Sequence, residues 1–309
     1  MSSSVDSAGA ELRIICGPTA AGKSAIAMSL ARRHGLAIVS ADSRQLYRGF
    51  DIGTAKPSAA DRARVRHLGL DVADPSERWS AARFASDAAA WIAQEGAART
   101  LVVGGTGFYL HALTRPLHSA PPLDPGARNQ LAAELSQLRT DDLRRWVRVL
   151  DPARAQLGRA QLLRAAEVAL LTGRRLSEYH REPAPAAPNR ARWLVVDPGP
   201  RLHGQIAGRL DAMLAEGWAD EVRALERAVA ADAPAWQACG YDAVRALLHG
   251  TLKPAAARDA ILIATRQYAK RQRTWFRHQV GYEQVTRVDP HDPSCEETVE
   301  RWWRGGASE

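Results

Sequence analysis

A short loop between an apolar run and a helical segment constrains the fold more than any other feature. Leu12 to Cys16 predicts a buried strand and Ser24 to Arg33 predicts a helix. In this context, a loop of the pattern G-x-x-x-x-G-K-[ST] binds phosphate, because its backbone N–H groups and the helix N-terminus face one anion. We therefore predict a phosphate or diphosphate site, with a point charge from Lys23 and a Mg²⁺ ligand from the Ser24 hydroxyl. The loop residues are Gly17, Pro18, Thr19, Ala20, Ala21, Gly22, Lys23 and Ser24.

Apolar runs alternate with helical segments in the first third of the chain. Leu36 to Ser40 and Thr100 to Val103 predict two more strands, and Ser80 to Glu95 predicts a helix before the second of them. Such alternation is typical of a parallel sheet with helices on both faces. With the loop, it predicts an α/β fold, a P-loop NTPase-like three-layer core. Asp42 follows one strand directly, at the edge where open α/β sheets bind ligands.

A strandless stretch then interrupts this pattern. Residues 124 to 179 predict successive helices, and strand character returns at Arg192 to Asp197 after a proline-dense segment. We therefore predict one core that carries an all-helical insertion domain. The predicted divisions are a tail at 1–10, a first core part at 11–122, the insertion domain at 123–190, and a second core part at 191–309.

The charge balance is basic. The 309 residues include 42 Lys+Arg and 34 Asp+Glu, a net charge of +8. This excess fits nucleic acid, anionic substrates or an acidic partner, but it also fits an arginine-rich background, since nearly all the basic residues are Arg. No apolar run approaches the ~20 residues of a membrane span, and three cysteines are too few and too scattered for a disulfide framework or a four-ligand zinc site. We expect a cytoplasmic protein without a membrane segment, acting as a monomer.

Four segments together resemble one family, the tRNA dimethylallyltransferases of bacterial type. The first is the loop itself, which alone is unspecific. The other three segments are DSRQLY at 42–47 with DIGTAKP at 51–57, GGTGFY at 104–109, and TRQYAKRQRTWFR at 265–277. They occur in family order and span residues 14 to 278.

The resemblance implies transfer of a dimethylallyl group from dimethylallyl diphosphate to the exocyclic amine of the adenosine 3′-adjacent to the anticodon, in tRNAs that read codons beginning with U. Asp42 matches the base that accepts the amine proton, and Thr106 matches a threonine beside the reacting groups. Arg223 matches an arginine that reaches the diphosphate. From the residues alone, Asp42 could also be a Mg²⁺ ligand or a helix cap, Thr106 a helix cap, and Arg223 one half of a surface ion pair.

A basic helix near the C-terminus would hold the RNA. On a helix, four cations lie within a sector of about 60° and form a basic ridge: Arg266, Lys270, Arg273 and Arg277. Tyr268 and Trp275 are on the side expected to pack on the core. The residues that the resemblance implies in tRNA binding are Asp42, Ser43, Arg44, Gln45, Thr106, Arg128, Gln161, Arg164, Gln237, Gly240, Tyr241, Lys270, Arg273 and Arg277. At 161, 237 and 242 the family usually has Arg, whereas this chain has Gln, Gln and Asp.

Two other classes remain open. A P-loop small-molecule kinase, or a prenyltransferase acting on free AMP, would need only the loop and Asp42. A non-catalytic RNA-binding protein would need only the basic surface. The insertion domain and the basic helix favour RNA over a mononucleotide, and the presence of Lys23, Ser24, Asp42 and Thr106 favours an enzyme.

Overall fold

The computed structural model describes residues 11–115, 123–182, 189–280 and 285–305. Its strands form one six-stranded sheet in the order β3-β2-β4-β1-β5-β6, in which every pair is parallel. Parallel strands place all their carboxyl ends at one edge of the sheet, and the phosphate loop leaves that edge from the interior strand β1. The strands are β1 (Glu11–Cys16), β2 (Ala37–Ser40), β3 (His67–Leu68), β4 (Thr100–Gly104), β5 (Arg190–Val196) and β6 (Val285–Val288).

Helices connect the strands and cover the sheet. None of the helices in the described ranges is long and apolar enough to cross a membrane. The helices are α1 (Lys23–His34), α2 (Ala59–Arg64), α3 (Ala81–Glu95), α4 (Gly107–Thr114), α5 (Pro125–Ser136), α6 (Thr140–Leu150), α7 (Arg159–Thr172), α8 (Leu176–Tyr179), α9 (Leu202–Glu216), α10 (Trp218–Ala228), α11 (Tyr241–Leu248), α12 (Pro254–Gln279) and α13 (Cys295–Arg304).

The core lies around the interior strands. Ile14 and Ile15 of β1 are fully buried, as are Leu101 and Val102 of β4. Both faces of these strands are covered, which explains why their sequences are continuously apolar instead of alternating. The parallel α/β fold predicted from the sequence is confirmed. Two strands were missed: β3 has only two residues, and β6 carries Arg287 in the middle of its apolar residues.

The chain divides into two compact units, Met1–Arg115 with Pro188–Glu309, and Pro116–Ala187. Every element described in the second unit is a helix, α5 to α8. Its small core comprises Leu135, Leu143, Val147, Leu162, Ala165 and Ala166. The insertion domain was predicted at 123–190, whereas this unit spans Pro116–Ala187, and β5 already begins at Arg190. The tail predicted at 1–10 lies outside the described residues.

Candidate active site

The phosphate loop needs glycine at both ends. Gly17 has φ of +147°, and a Cβ there would lie 2.2 Å from the carbonyl oxygen of Val196. Gly22 has φ of +89° and is the N-cap of α1. A side chain would clash at the first position and be strained at both. The two glycines therefore let the loop turn tightly between β1 and α1.

Gln272 of α12 fastens this loop to its surroundings. Its side chain is 6% exposed, its Oε1 accepts a hydrogen bond of 2.8 Å from the Thr19 backbone N–H, and its Nε2 donates one of 2.8 Å to the Gly105 carbonyl. Within the loop, Lys23 Nζ donates to the Pro18 carbonyl at 2.6 Å. The loop is therefore held to both β4 and α12.

A cavity of about 390 Å³ lies against the loop, lined in part by Lys23, Ser24, Asp42 and Arg209. Burial lowers the pKa of Lys23 to about 8; the charge of Arg209 acts in the same direction and that of Asp42 opposes it. Burial also lowers the pKa of Arg209, again against the attraction of Asp42. The cavity therefore places two crowded cations beside one carboxylate, an arrangement that a bound polyanion would relieve.

Asp42 and Thr106 are positioned by the turn that follows β2. Asp42 Oδ1 accepts the Arg44 backbone N–H at 2.9 Å. Thr106 Oγ1 accepts the Ser43 backbone N–H at 3.0 Å and donates to Ser43 Oγ at 3.3 Å. Although Thr106 precedes α4, its side chain makes no capping hydrogen bond to that helix. The helix-cap alternative for Thr106 is therefore not what the structure shows.

A smaller cavity of about 80 Å³ adjoins the first and shares Thr19, Asp42 and Arg209 with it. Burial and the charge of Asp42 raise the pKa of the Tyr268 phenol, which also lines this cavity. Tyr268 and Trp275, which were expected to pack on the core, are both half-buried. The Trp275 ring lies 2.3 Å from where a Cβ of Gly107 would be. The apolar lining comprises Ile206, Leu210, Met213, Trp218 and Ile261.

The carboxylate of Glu221, on α10, holds the turn that carries the DIGTAKP segment. It accepts backbone N–H groups of Asp51 at 2.9 Å and Ile52 at 2.5 Å, and the Tyr241 hydroxyl donates to it at 2.6 Å. Tyr241 is fully buried, so its predicted contact with tRNA is wrong, because its ring and hydroxyl are used inside the protein. Gly240 is also buried, with a Cβ there only 2.6 Å from the Trp218 ring.

Arg223 is not where the sequence placed it. It lies exposed on α10 in an ion pair with Asp220, and it does not line either cavity. The diphosphate role of Arg223 therefore stays a prediction, and the arginine that lines both cavities is Arg209, which the sequence analysis missed. A signal for Arg209 was present: it lies on the same helical face as Ile206 and Met213, and an arginine within an apolar stripe is unusual on a surface helix.

Three residues of the turn after Asp42 have mainly structural contacts. Gln45 Nε2 donates to the Thr54 and Ala55 carbonyls at 3.1 and 3.0 Å, which ties β2 to the DIGTAKP segment. Arg44 Nη1 lies 3.4 Å from the Pro234 carbonyl while lining the smaller cavity. Ser43 bonds Thr106 as described above.

Gln237, which was also predicted to bind tRNA, is exposed.

Only part of the predicted basic ridge on α12 is exposed to solvent. Arg266, Lys270 and Arg277 are exposed. Arg273 is half-buried; its Nη2 pairs with Asp197 and donates to the Gly199 carbonyl at 2.6 Å. Arg273 therefore anchors α12 to the segment after β5.

In the helical unit, two of the predicted tRNA-binding residues converge on one carboxylate. Arg128 Nε lies 3.1 Å and Arg164 Nη1 3.4 Å from Glu167 Oε2, and Glu167 is 7% exposed. Gln161 is exposed and accepts the Gly158 backbone N–H at 3.3 Å. The ion pairs hold the two guanidinium groups close together.

A phosphate loop that leaves an interior parallel strand defines the P-loop class. A carboxylate in the same cavity can accept a proton, as a group-transfer reaction requires. Comparison with known proteins agrees. The family model described as IPP transferase matches residues 45–279, and the one described as isopentenyl transferase matches residues 10–75. The chain belongs to the IPP transferase family, and it is a transferase.

The matches to known relatives extend over nearly the whole chain. A tRNA dimethylallyltransferase of Halorhodospira halophila is 44% identical over 89% of this chain and 92% of its own length. The solved tRNA isopentenylpyrophosphate transferase of Bacillus halodurans has a TM-score of 0.66 at 30% identity, covering 95% of this chain and 94% of that one. That of Staphylococcus epidermidis has a TM-score of 0.65 at 26% identity, covering 94% and 97%.

Proposed function

We propose that this protein transfers a dimethylallyl group from dimethylallyl diphosphate to the exocyclic amine of the adenosine 3′-adjacent to the anticodon, in tRNAs that read codons beginning with U. The observation that carries the proposal is the shared cavity of Lys23, Arg209 and Asp42. Two cations suit a diphosphate leaving group, and a carboxylate beside them suits an amine that must lose a proton. The names of the relatives support the same reaction.

The loop side of the cavity stabilises the leaving group. As the carbon–oxygen bond breaks, negative charge grows on the diphosphate, and Lys23 and Arg209, which line the cavity, stabilise that charge. The Lys23 ammonium is partly desolvated, so its interaction with a diphosphate is stronger than that of an exposed lysine. Here the loop binds the product anion of the transfer instead of a nucleotide cofactor.

The carboxylate side activates the acceptor. The aromatic amine is a weak nucleophile, and as its nitrogen bonds to the allylic carbon its proton passes to an Asp42 oxygen. Oδ1 is engaged by the Arg44 N–H, which leaves Oδ2 for the proton. Thr106, held by the Ser43 N–H, has a hydroxyl positioned to orient the amine. The adjoining apolar cavity suits the branched five-carbon group.

The site also fits Mg²⁺. This ion prefers few protein oxygens together with phosphate oxygens and water, and the Ser24 hydroxyl is exposed at the start of α1 on the cavity wall. The described residues contain no cluster of three His, Cys, Asp or Glu side chains that would hold a metal without substrate. When bound, Mg²⁺ supplies charge neutralisation to the diphosphate.

The acceptor is a tRNA anticodon stem-loop rather than a free nucleotide. Exposed Arg266, Lys270 and Arg277 on α12 supply charges that match a phosphate backbone, and Arg128 with Arg164 provides a second paired site on the helical unit. A base must leave its stack to be alkylated, which is easiest in a single-stranded loop. We also propose that the enzyme acts as a monomer.

One assay tests the proposal. The protein is incubated with Mg²⁺, dimethylallyl diphosphate and unmodified tRNA, and digested RNA is analysed by mass spectrometry. We expect prenylated adenosine in tRNAs that read codons beginning with U. Transfer to AMP without transfer to tRNA, or γ-phosphate transfer from ATP to a small molecule, would contradict it.

A further inference from the structure

A third cavity, of about 330 Å³, lies beside the phosphate loop and is lined by three arginines, Arg273, Arg277 and Arg287, together with Pro18 and Asp197. The sheet explains why these residues meet. Cys16, Val195 and Arg287 are in register across β1, β5 and β6, so β6 runs roughly 10 Å from the strand that leads into the loop. We call this cavity the arginine pocket.

The arginine pocket carries more positive charge than its own contacts neutralise. Its single carboxylate, Asp197, is already paired with Arg273 and accepts the Gly199 N–H at 2.9 Å. The Nε of Arg273 is buried without a hydrogen-bond partner in the described structure. Arg277 and Arg287 are exposed, and neither forms an ion pair with any residue in the described ranges. Within the described ranges, the pocket therefore presents two guanidinium groups without an ion-pair partner, those of Arg277 and Arg287, beside the paired Arg273.

We propose that the arginine pocket binds a phosphate group of the tRNA backbone. Planar guanidinium groups match the oxygens of a phosphate in pairs, and three of them on two different elements define a position instead of a diffuse field. Arg273 and Arg277 also belong to the basic ridge of α12, so the pocket continues that surface beyond the helix onto β6. This inference rests on the proposed function for the identity of the RNA.

Substitution of Arg287 tests the arginine pocket without changing the basic ridge of α12. It is the only one of the three arginines that lies outside α12, and no contact with the described residues depends on its charge. Replacing it by Gln should leave the fold intact. The same charge can be removed elsewhere as a control, at exposed Arg99, which precedes β4 and so lies at the opposite edge of the parallel sheet.

The experiment measures binding of a fluorescent anticodon stem-loop by anisotropy at several salt concentrations, without donor, for the full chain and its variants. For Arg287→Gln we expect weaker binding and a slope of log K against log salt that is shallower by about 0.7–1, the change for one lost phosphate contact. Arg287→Lys should keep most of the slope, and Arg99→Gln should match the parent. Circular dichroism melting confirms that each variant is folded.

Other outcomes would contradict either the proposed role of the arginine pocket or the proposed function, and the experiment distinguishes the two. An unchanged slope in folded Arg287→Gln removes the pocket from the RNA interface, even if prenyl transfer is normal. Protection of the protein against heating by inorganic phosphate that depends on Arg287, with an unchanged RNA slope, assigns the pocket to a free anion instead. An Arg287-dependent slope in a protein that transfers no prenyl group supports the pocket and contradicts the proposed function. A parent protein that binds no stem-loop overturns both.

Discussion

The side chain of Gln272 accepts a hydrogen bond from the backbone of Thr19 at 2.8 Å, although the two residues are 253 positions apart. This bond joins the phosphate loop to the helix that carries the basic ridge. Since the other end of the same amide bonds Gly105, one buried side chain fixes three segments around the cavity. The phosphate loop and α12 are thus mechanically connected.

Gln272→Leu should weaken both stability and donor binding. The substitution leaves the Thr19 N–H and the Gly105 carbonyl without partners in a buried place, which costs about 1–3 kcal/mol. Thermal unfolding measures the first effect, and the KM for dimethylallyl diphosphate measures the second. Gln267→Leu, on an exposed position of the same helix, should change neither. If Gln272→Leu lowers stability but leaves the KM unchanged, the bond supports the fold without shaping the loop.

Asp42→Asn should abolish prenyl transfer while tRNA binding stays close to that of the parent. The amide is similar in shape but cannot accept the amine proton, so the chemical step loses its base. Single-turnover transfer and stem-loop binding are measured on the same preparation. Asp259→Asn, exposed on α12, serves as the matched control. Equal losses of transfer and binding would mean that Asp42 is mainly structural.

The sheet and the loop could be predicted because their signals are local. The loop pattern, the apolar run before it and the helix after it are contiguous, and β1 and α1 begin and end within one residue of the predicted bounds. The position of Asp42 followed from the same reasoning, since a carboxylate directly after a parallel strand must lie at the ligand-binding edge.

Contacts over long sequence separations could not be predicted. Tyr241 lies in a segment that resembles a tRNA-contacting one, but nothing in that segment shows that its hydroxyl is bonded to Glu221, 20 residues earlier. The resemblance likewise pointed to Arg223, and only the packing of α9 shows that Arg209 reaches the cavity instead. Orientation of a side chain depends on elements that a motif does not contain.

Tyr241→Phe should destabilise the protein by about 1–3 kcal/mol, since it removes a hydrogen bond to a carboxylate that also holds the DIGTAKP turn. The affinity for the anticodon stem-loop should not change, because the ring is fully buried. Urea unfolding and anisotropy separate the two quantities. A loss of RNA affinity without a loss of stability would restore the contact that the sequence suggested.

Donor binding should weaken as pH rises through about 8. Burial lowers the pKa of Lys23 to about 8, so above that pH the free enzyme holds a neutral amine that must take up a proton to pair with the diphosphate. The dissociation constant of dimethylallyl diphosphate should then rise by up to about tenfold per pH unit. Calorimetry from pH 7 to 9.5 measures it. Lys23→Met should remove the rise, whereas Lys253→Met, an exposed lysine, should keep it; a flat parent profile would contradict the assignment.

Arg209 and Arg223 provide a direct comparison between structure and sequence. Arg209 lines the cavity with Lys23, whereas Arg223 is exposed and paired with Asp220. A hydrogen bond to a charged group contributes about 1.5–3 kcal/mol, so Arg209→Gln should raise the KM for the donor at least tenfold. Arg223→Gln removes the same charge from a solvated surface, where ion pairs contribute little, and should leave the KM within twofold. The opposite ranking, in folded variants, would return the diphosphate contact to Arg223.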